Sequence, residues 1–257
     1  MSRKFLAETP MLDFQSGAIQ ALLADRGWTA LGSDARIGAA YDFVRNEILF
    51  GYNSNDMLPA SRVLADGYGQ CNTKGTLLMA LLRALGIPCR LHGFTIDKGL
   101  QRGVVPELVY PLAPRNIIHS WVEVLADGDW INLEGFILDQ SVLSALQTTF
   151  PDRTSLCAYG AGTDCLQNPP VEWSCESTYI QKTGINQDFG VYDSPDDFYG
   201  EHSQLSGLRG LVYRLVVRHW MNRRVARIRR GKVPKMPGGQ ENRIPAKAQL
   251  DLNKVGS

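Results

Sequence analysis

Long apolar runs are missing from this 257-residue sequence, and none approaches the length that spans a bilayer. No basic n-region, apolar h-region and small-residue cleavage site open the chain, so the expected location is the cytoplasm. In a reducing compartment the five cysteines are read as thiols rather than bridges. Zinc-type spacing is lacking too. Cys157, Cys165 and Cys175 are separated by seven and nine intervening residues with no histidine among them, whereas zinc ligands pair across two to four. No internal repeat is apparent, which excludes solenoids and arrays. What remains is 44% apolar and 21% charged, the profile of a globular chain with room for one substantial domain and appendages.

The stretch Gly69-Gln70-Cys71-Asn72-Thr73-Lys74 leads into an apolar run from Gly75 to Leu85 and a stop at Gly86-Ile87-Pro88. Leu77, Leu78, Leu81, Leu82 and Leu85 recur at helical spacing, and Met79, Ala80 and Ala84 fill the other faces. A helix apolar nearly all round belongs in a core. Gly86 caps its C-terminus and Pro88 forbids continuation. Cys71 therefore heads a buried helix, where the N-terminus favours thiolate over thiol. The plainer reading is a buried core thiol.

Downstream, Asn116 to Val124 alternates. Ile118, Ser120, Val122 and Val124 fall on one side, His119, Trp121 and Glu123 on the other. Ala126-Asp127-Gly128-Asp129 reads as a hairpin turn and Trp130 to Glu134 as the return strand. A histidine brought near a carboxylate and a helix-leading cysteine forms a nucleophile, base and orienting acid.

These blocks also carry a resemblance. Gly67-Tyr68-Gly69-Gln70-Cys71, Leu81 to Arg90, His119 to Val124 and Trp130 four residues before an acid resemble the transglutaminase-like superfamily, over roughly residues 40–140. The resemblance implies an α+β, papain-like fold: a buried helix carrying the cysteine packs on an antiparallel sheet. It implies a triad of Cys71, His119 and Glu134, where the family pattern usually has Asp; Asp139 is the alternative acid. Thiol acyl transfer on an amide, ester or thioester follows, with no metal or organic cofactor. Hydrolysis of the peptidase or amidase kind is the expected outcome. Transfer to an amine and a non-catalytic binding scaffold are the alternatives, because fold alone does not name a substrate. For the oxyanion, the Cys71 N–H is the first donor and the Gln70 side chain a candidate second.

The remaining chain supports that domain. Helices are expected over Leu12 to Leu23, closed by Gly27, and from Ser33 or Asp34 through Leu49. A short helix is expected over Ala60 to Leu64, and a strand over Cys89 to Ile96. His92 on that strand reads as structural, because no orienting acid falls near it in the pattern. Leu100 to Pro114, rich in Gly and Pro, reads as a loop along the substrate cleft. Asp139 caps a helix reaching Phe150, and Ser194-Pro195 begins another with its acids in the first turn.

A net charge of +1 conceals an asymmetry. From Arg209 onward the chain holds 13 of its 27 basic residues and 2 of its 26 acidic ones, leaving 14 against 24 before it. The expected division is a catalytic domain over 1–205, a basic amphipathic helix over 206–233 and a disordered tail over 234–257. The helix is expected to dock its apolar stripe on the acidic body; an anionic partner such as a membrane surface or nucleic acid is the other reading.

Overall fold

The computed structural model describes residues 3–204 and 207–236. Helix α1 (Gly17–Arg26) ends on Gly27, and α2 (Ser33–Asn46) runs into the two-residue strand β1 (Leu49–Phe50). Helix α3 (Ala60–Asp66) leads to β2 (Tyr68–Gly69), which pairs in parallel with β1. Leu49 is thus exposed in a strand rather than continuing the second helix, which stops at Asn46.

Helix α4 (Cys71–Ala84) is the centre, with all but its last residue buried. Gly86, at φ 76°, turns the chain out of it while the Gly86 and Ile87 amides donate to Arg83 and Leu82 carbonyls. Around α4 pack α2, α3 and a four-stranded antiparallel sheet in the order β5-β4-β3-β8. These strands are β3 (Cys89–Asp97), β4 (Asn116–Ala126), β5 (Asp129–Leu133) and β8 (Ile185–Tyr192). Asp127 and Gly128 close the β4–β5 hairpin with positive φ at both positions, as the sequence predicts.

Beyond β5, α5 (Gln140–Thr149) is capped by Asp139, whose Oδ1 accepts the Val142 N–H at 3.1 Å. A small hairpin of β6 (Leu156–Ala158) and β7 (Ala161–Thr163) follows. Strand β8 (Ile185–Tyr192) closes the sheet against β3. Its alternation is weak because most of its residues are only half-buried or exposed. One sheet face meets α4. The other holds a second apolar cluster of Phe94, Ile96, Leu100, Ile117, Trp121, Cys157 and Ile185.

Helix α6 (Pro195–Glu201) lies over β3 at Gly93, where a Cβ would come within 2.3 Å of the Phe198 ring. The basic C-terminal segment is α7 (Gly207–Val212), a π-helical turn over Tyr213–Val217, and α8 (Arg218–Arg229). Met221, Val225 and Ile228 of α8 are buried in the main core. The Asn222 side chain clamps Tyr52, accepting its N–H at 2.7 Å and donating to its carbonyl at 3.0 Å. Arg229 binds Asp139 and the Phe50 carbonyl. Only part of the expected stripe faces inward: α8 docks through Met221, Val225 and Ile228, whereas Leu208, Leu211, Val212, Leu215 and Val216 are exposed.

The expected disordered tail starts too early at Pro234. The Tyr159 hydroxyl donates to the Pro234 carbonyl at 2.6 Å, and Met236 is buried. The rest of that tail, 237–257, lies outside the described residues. No described helix is long and apolar enough to cross a membrane.

Candidate active site

Cys71 stands at the first position of α4, where the backbone N–H groups of the opening turn have no intrahelical partner. The turn is held by a reciprocal arrangement in which the Gln70 N–H donates to Thr73 Oγ1 at 3.1 Å. Asn72 joins the helix to the sheet: its Nδ2 donates to the Ile118 carbonyl at 3.2 Å, one residue before His119. The thiol donates to Asn72 Oδ1 at 3.4 Å, and Ser120 Oγ donates to the same oxygen at 3.3 Å. Tyr199 from α6 completes the chain, 2.8 Å from Ser120 Oγ.

His119 is wholly buried on β4, opposite Phe94 of β3. Its Nε2 lies 2.9 Å from Oε1 of Glu134, the residue that follows β5. The second Glu134 oxygen accepts the N–H groups of Ile180 and Gln181 at 2.8 and 2.9 Å. The extra methylene of Glu over Asp is thereby used, the carboxylate bridging the imidazole and a backbone pair from a different segment. His119 Nδ1 has no hydrogen bond among the described residues. Burial works against protonation of the ring, but Cys71 and then Glu134 outweigh it and raise its pKa to about 9. The favoured ring is the imidazolium, lying between a sulfur and a carboxylate.

The other sequence candidates fall elsewhere. Asp139 caps α5, accepts the Phe50 N–H at 3.0 Å and pairs with Arg229; His119 is not among its partners. The Gln70 amide lines the cleft, but its Nε2 donates to Asp56 at 3.0 Å and its Oε1 accepts from the Asn53 N–H. As an oxyanion donor it would have to leave Asp56.

His92 requires a correction. It does have acids: Nδ1 is 2.6 Å from Glu123 Oε1 and Nε2 is 2.9 Å from Asp188 Oδ1, and Arg90 holds the other Glu123 oxygen. Burial lowers its pKa, yet these carboxylates raise it overall. Asp188 sits on β8, far off in sequence, so local pattern could not reveal it. Cys71 is among the groups that shift His119 and not among those that shift His92. The cluster ties β3, β4 and β8 together.

Cys71 opens on a cleft of about 1060 Å³, lined mostly by apolar side chains. Its walls come from the 109–114 stretch of the loop the sequence suggests, and from the 207–217 segment, which it did not. Tyr199, Tyr213, Asn72 and Asp56 stand around the thiol without having been singled out by motif. Cys89 and Cys157 are buried thiols pushed up to about 11 by desolvation, whereas Cys165 and Cys175 are exposed and free. Among the described residues no group of His, Cys, Asp and Glu is arranged to hold a metal ion.

Residues 25–135 match the family model of the transglutaminase-like superfamily, a span that takes in Cys71, His119 and Glu134. That stretch of the chain is a transglutaminase-like domain. No curated protein matches the chain. Among solved structures, it is similar to a crystal structure of a "putative cysteine protease" from Cytophaga hutchinsonii, with 16% identity and a TM-score of 0.43. The similarity covers 75% of this chain and 47% of that one, so this chain spans about half that protein's length.

Proposed function

We propose that the protein is a thiol-dependent acyl-transfer enzyme of the hydrolase kind, cleaving an amide, ester or thioester through an acyl-Cys71 intermediate. The single observation that carries this is the buried His119 imidazole flanked by Cys71 and, at 2.9 Å, by Glu134. In this reading His119 already holds the proton of the Cys71 thiol, and the sulfur attacks the substrate carbonyl carbon, forming the C–S bond as the carbonyl π pair moves onto oxygen. The Cys71 N–H supports the oxyanion. Collapse breaks the bond to the leaving group, which takes the proton from His119. Water then attacks the acyl carbon, His119 accepts its proton, and the thiolate departs. Glu134 keeps Nε2 protonated and orients the ring.

Intact-mass spectrometry after incubation with a panel of amides, esters and thioesters tests this. The expected result is a mass increment on the chain that disappears in Cys71→Ala. No increment with any donor, or one that survives the substitution, would remove the proposal.

A further inference from the structure

We propose that Asp56 is a binding site for a primary ammonium group, so that a substrate of the Cys71 site carries a charged amine near the carbonyl under attack; this rests on the acyl-transfer reading above. Asp56 lies between β1 and α3 and lines the same cleft as Cys71. Its Oδ1 accepts two hydrogen bonds, from Gln70 Nε2 and from Asn72 Nδ2, both at 3.0 Å. These are the residues on either side of Cys71 in the chain, so the carboxylate is positioned by the neighbours of the thiol.

Two features make the site one for a cation. Oδ2 has no hydrogen-bond partner among the described residues, and no Lys or Arg among them is paired with the group. Arg209 and Arg214 line the cleft but are not among the groups that shift Asp56. Burial disfavours the carboxylate, and two neutral amides offset this only in part, leaving its pKa raised. A half-buried carboxylate with only neutral donors is the kind of group an ammonium stabilises. Were Asp56 needed only to anchor Gln70 and Asn72, an asparagine would serve, since its Oδ1 accepts both bonds.

The amine could belong to the acyl donor or to an acceptor that replaces water. Binding is tested first, without chemistry. The full chain carrying Cys71→Ala is titrated with alaninamide or N-acetylalaninamide at about pH 6, where an α-amino group is charged, while the side-chain amide resonances of Gln70 and Asn72 are followed. Alaninamide should shift them and bind roughly tenfold or more tightly than the acetylated compound, as expected for a hydrogen bond between charged groups. Adding Asp56→Asn should erase that difference while both amide resonances stay dispersed. Kinetics with Cys71 intact then locate the amine. Loss of preference for an alanyl over an N-acetylalanyl thioester in Asp56→Asn places it on the donor. Loss of glycinamide capture from an acetyl thioester places it on the acceptor. Equal shifts from both amides, or undiminished alaninamide binding by Asp56→Asn, would overturn the proposal. Discriminating shifts with no acylation would leave the ammonium site standing and remove the acyl-transfer reading.

Discussion

Arg229 Nη2 lies 2.8 Å from Asp139 Oδ2, so the alternative acid of the expected triad is held by the C-terminal helix instead of by His119. That contact separates the two candidate acids by role. Arg229, with the Phe50 and Val142 N–H groups, outweighs burial and holds Asp139 below the usual carboxylate range.

Glu134→Gln is therefore expected to lower kcat by about two to four orders of magnitude, through loss of the ring's tautomer control and charge partner. Asp139→Asn should leave kcat within a few-fold but cost stability, on the order of 2 kcal/mol, because Arg229 loses its counter-charge. The depressed pKa of Asp139 contributes stability that is present above the unfolded value and lost as pH falls through the folded one. Asp139→Asn should accordingly flatten the acid limb of a melting-temperature profile. An inactive Asp139→Asn beside an active Glu134→Gln would require the triad to be redrawn.

His119 is raised from 6.5 to about 9, so the proton the mechanism needs is present at neutral pH and lost as pH rises through about 9. Its contribution to stability is complete below 6.5 and disappears over the same rise. Turnover should decline with that midpoint. Cys71→Ala removes the larger favourable influence on the ring, and NMR titration of His119 should show its midpoint fall. An unchanged midpoint would mean that sulfur and imidazole are not coupled.

Lys74, one turn into α4, is buried with its Nζ donating to the Arg45 and Ile137 carbonyls. Desolvation, aided by Arg229 and Arg45 against the pull of Asp139, lowers its pKa from 10.5 to about 7. Between those values the unfolded chain binds the extra proton, so this residue makes stability rise with pH. Lys74→Met should remove that component of the rise, measured by urea unfolding across the interval. Identical slopes in the two proteins would contradict a neutral buried amine.

Deleting 207–257 uncovers the surfaces that receive Met221, Val225 and Ile228 and frees Tyr52 from Asn222. Each buried side chain is worth about 1.5–3 kcal/mol, so melting should fall by on the order of 10 °C. Unchanged melting with lost binding to anionic vesicles would restore the reading of the basic segment as a free partner site.

Alkylation at about pH 6 should label Cys71 before Cys165 and Cys175, although those two are exposed and Cys71 is only 8% exposed. Ordinary thiols are almost wholly protonated there, while Cys71 adjoins a ring that favours the imidazolium. Peptide mapping with Cys165 or Cys175 labelled first would count against an activated Cys71.

By itself the sequence determined whatever depends on local periodicity and chain punctuation. The leucines of α4, the Gly86 stop, the Asp127-Gly128 hairpin and the Ser194 cap all act within a few residues of themselves, so spacing and residue type suffice to place them. The Cys71, His119 and Glu134 blocks were read as a candidate triad through their resemblance to a family whose motifs occur in this order along the chain. Tertiary structure decided what depends on residues distant in the chain. Asp188 reaches His92 across 96 positions, and Arg229 reaches Asp139 across 90. The Ile180 and Gln181 amides that receive Glu134 come from a third segment, and Asp56 meets Gln70 and Asn72 only because the β1–α3 stretch folds back over the head of α4. Hydrogen bonds and ion pairs of that kind depend on distances in space, which periodicity along one segment does not encode.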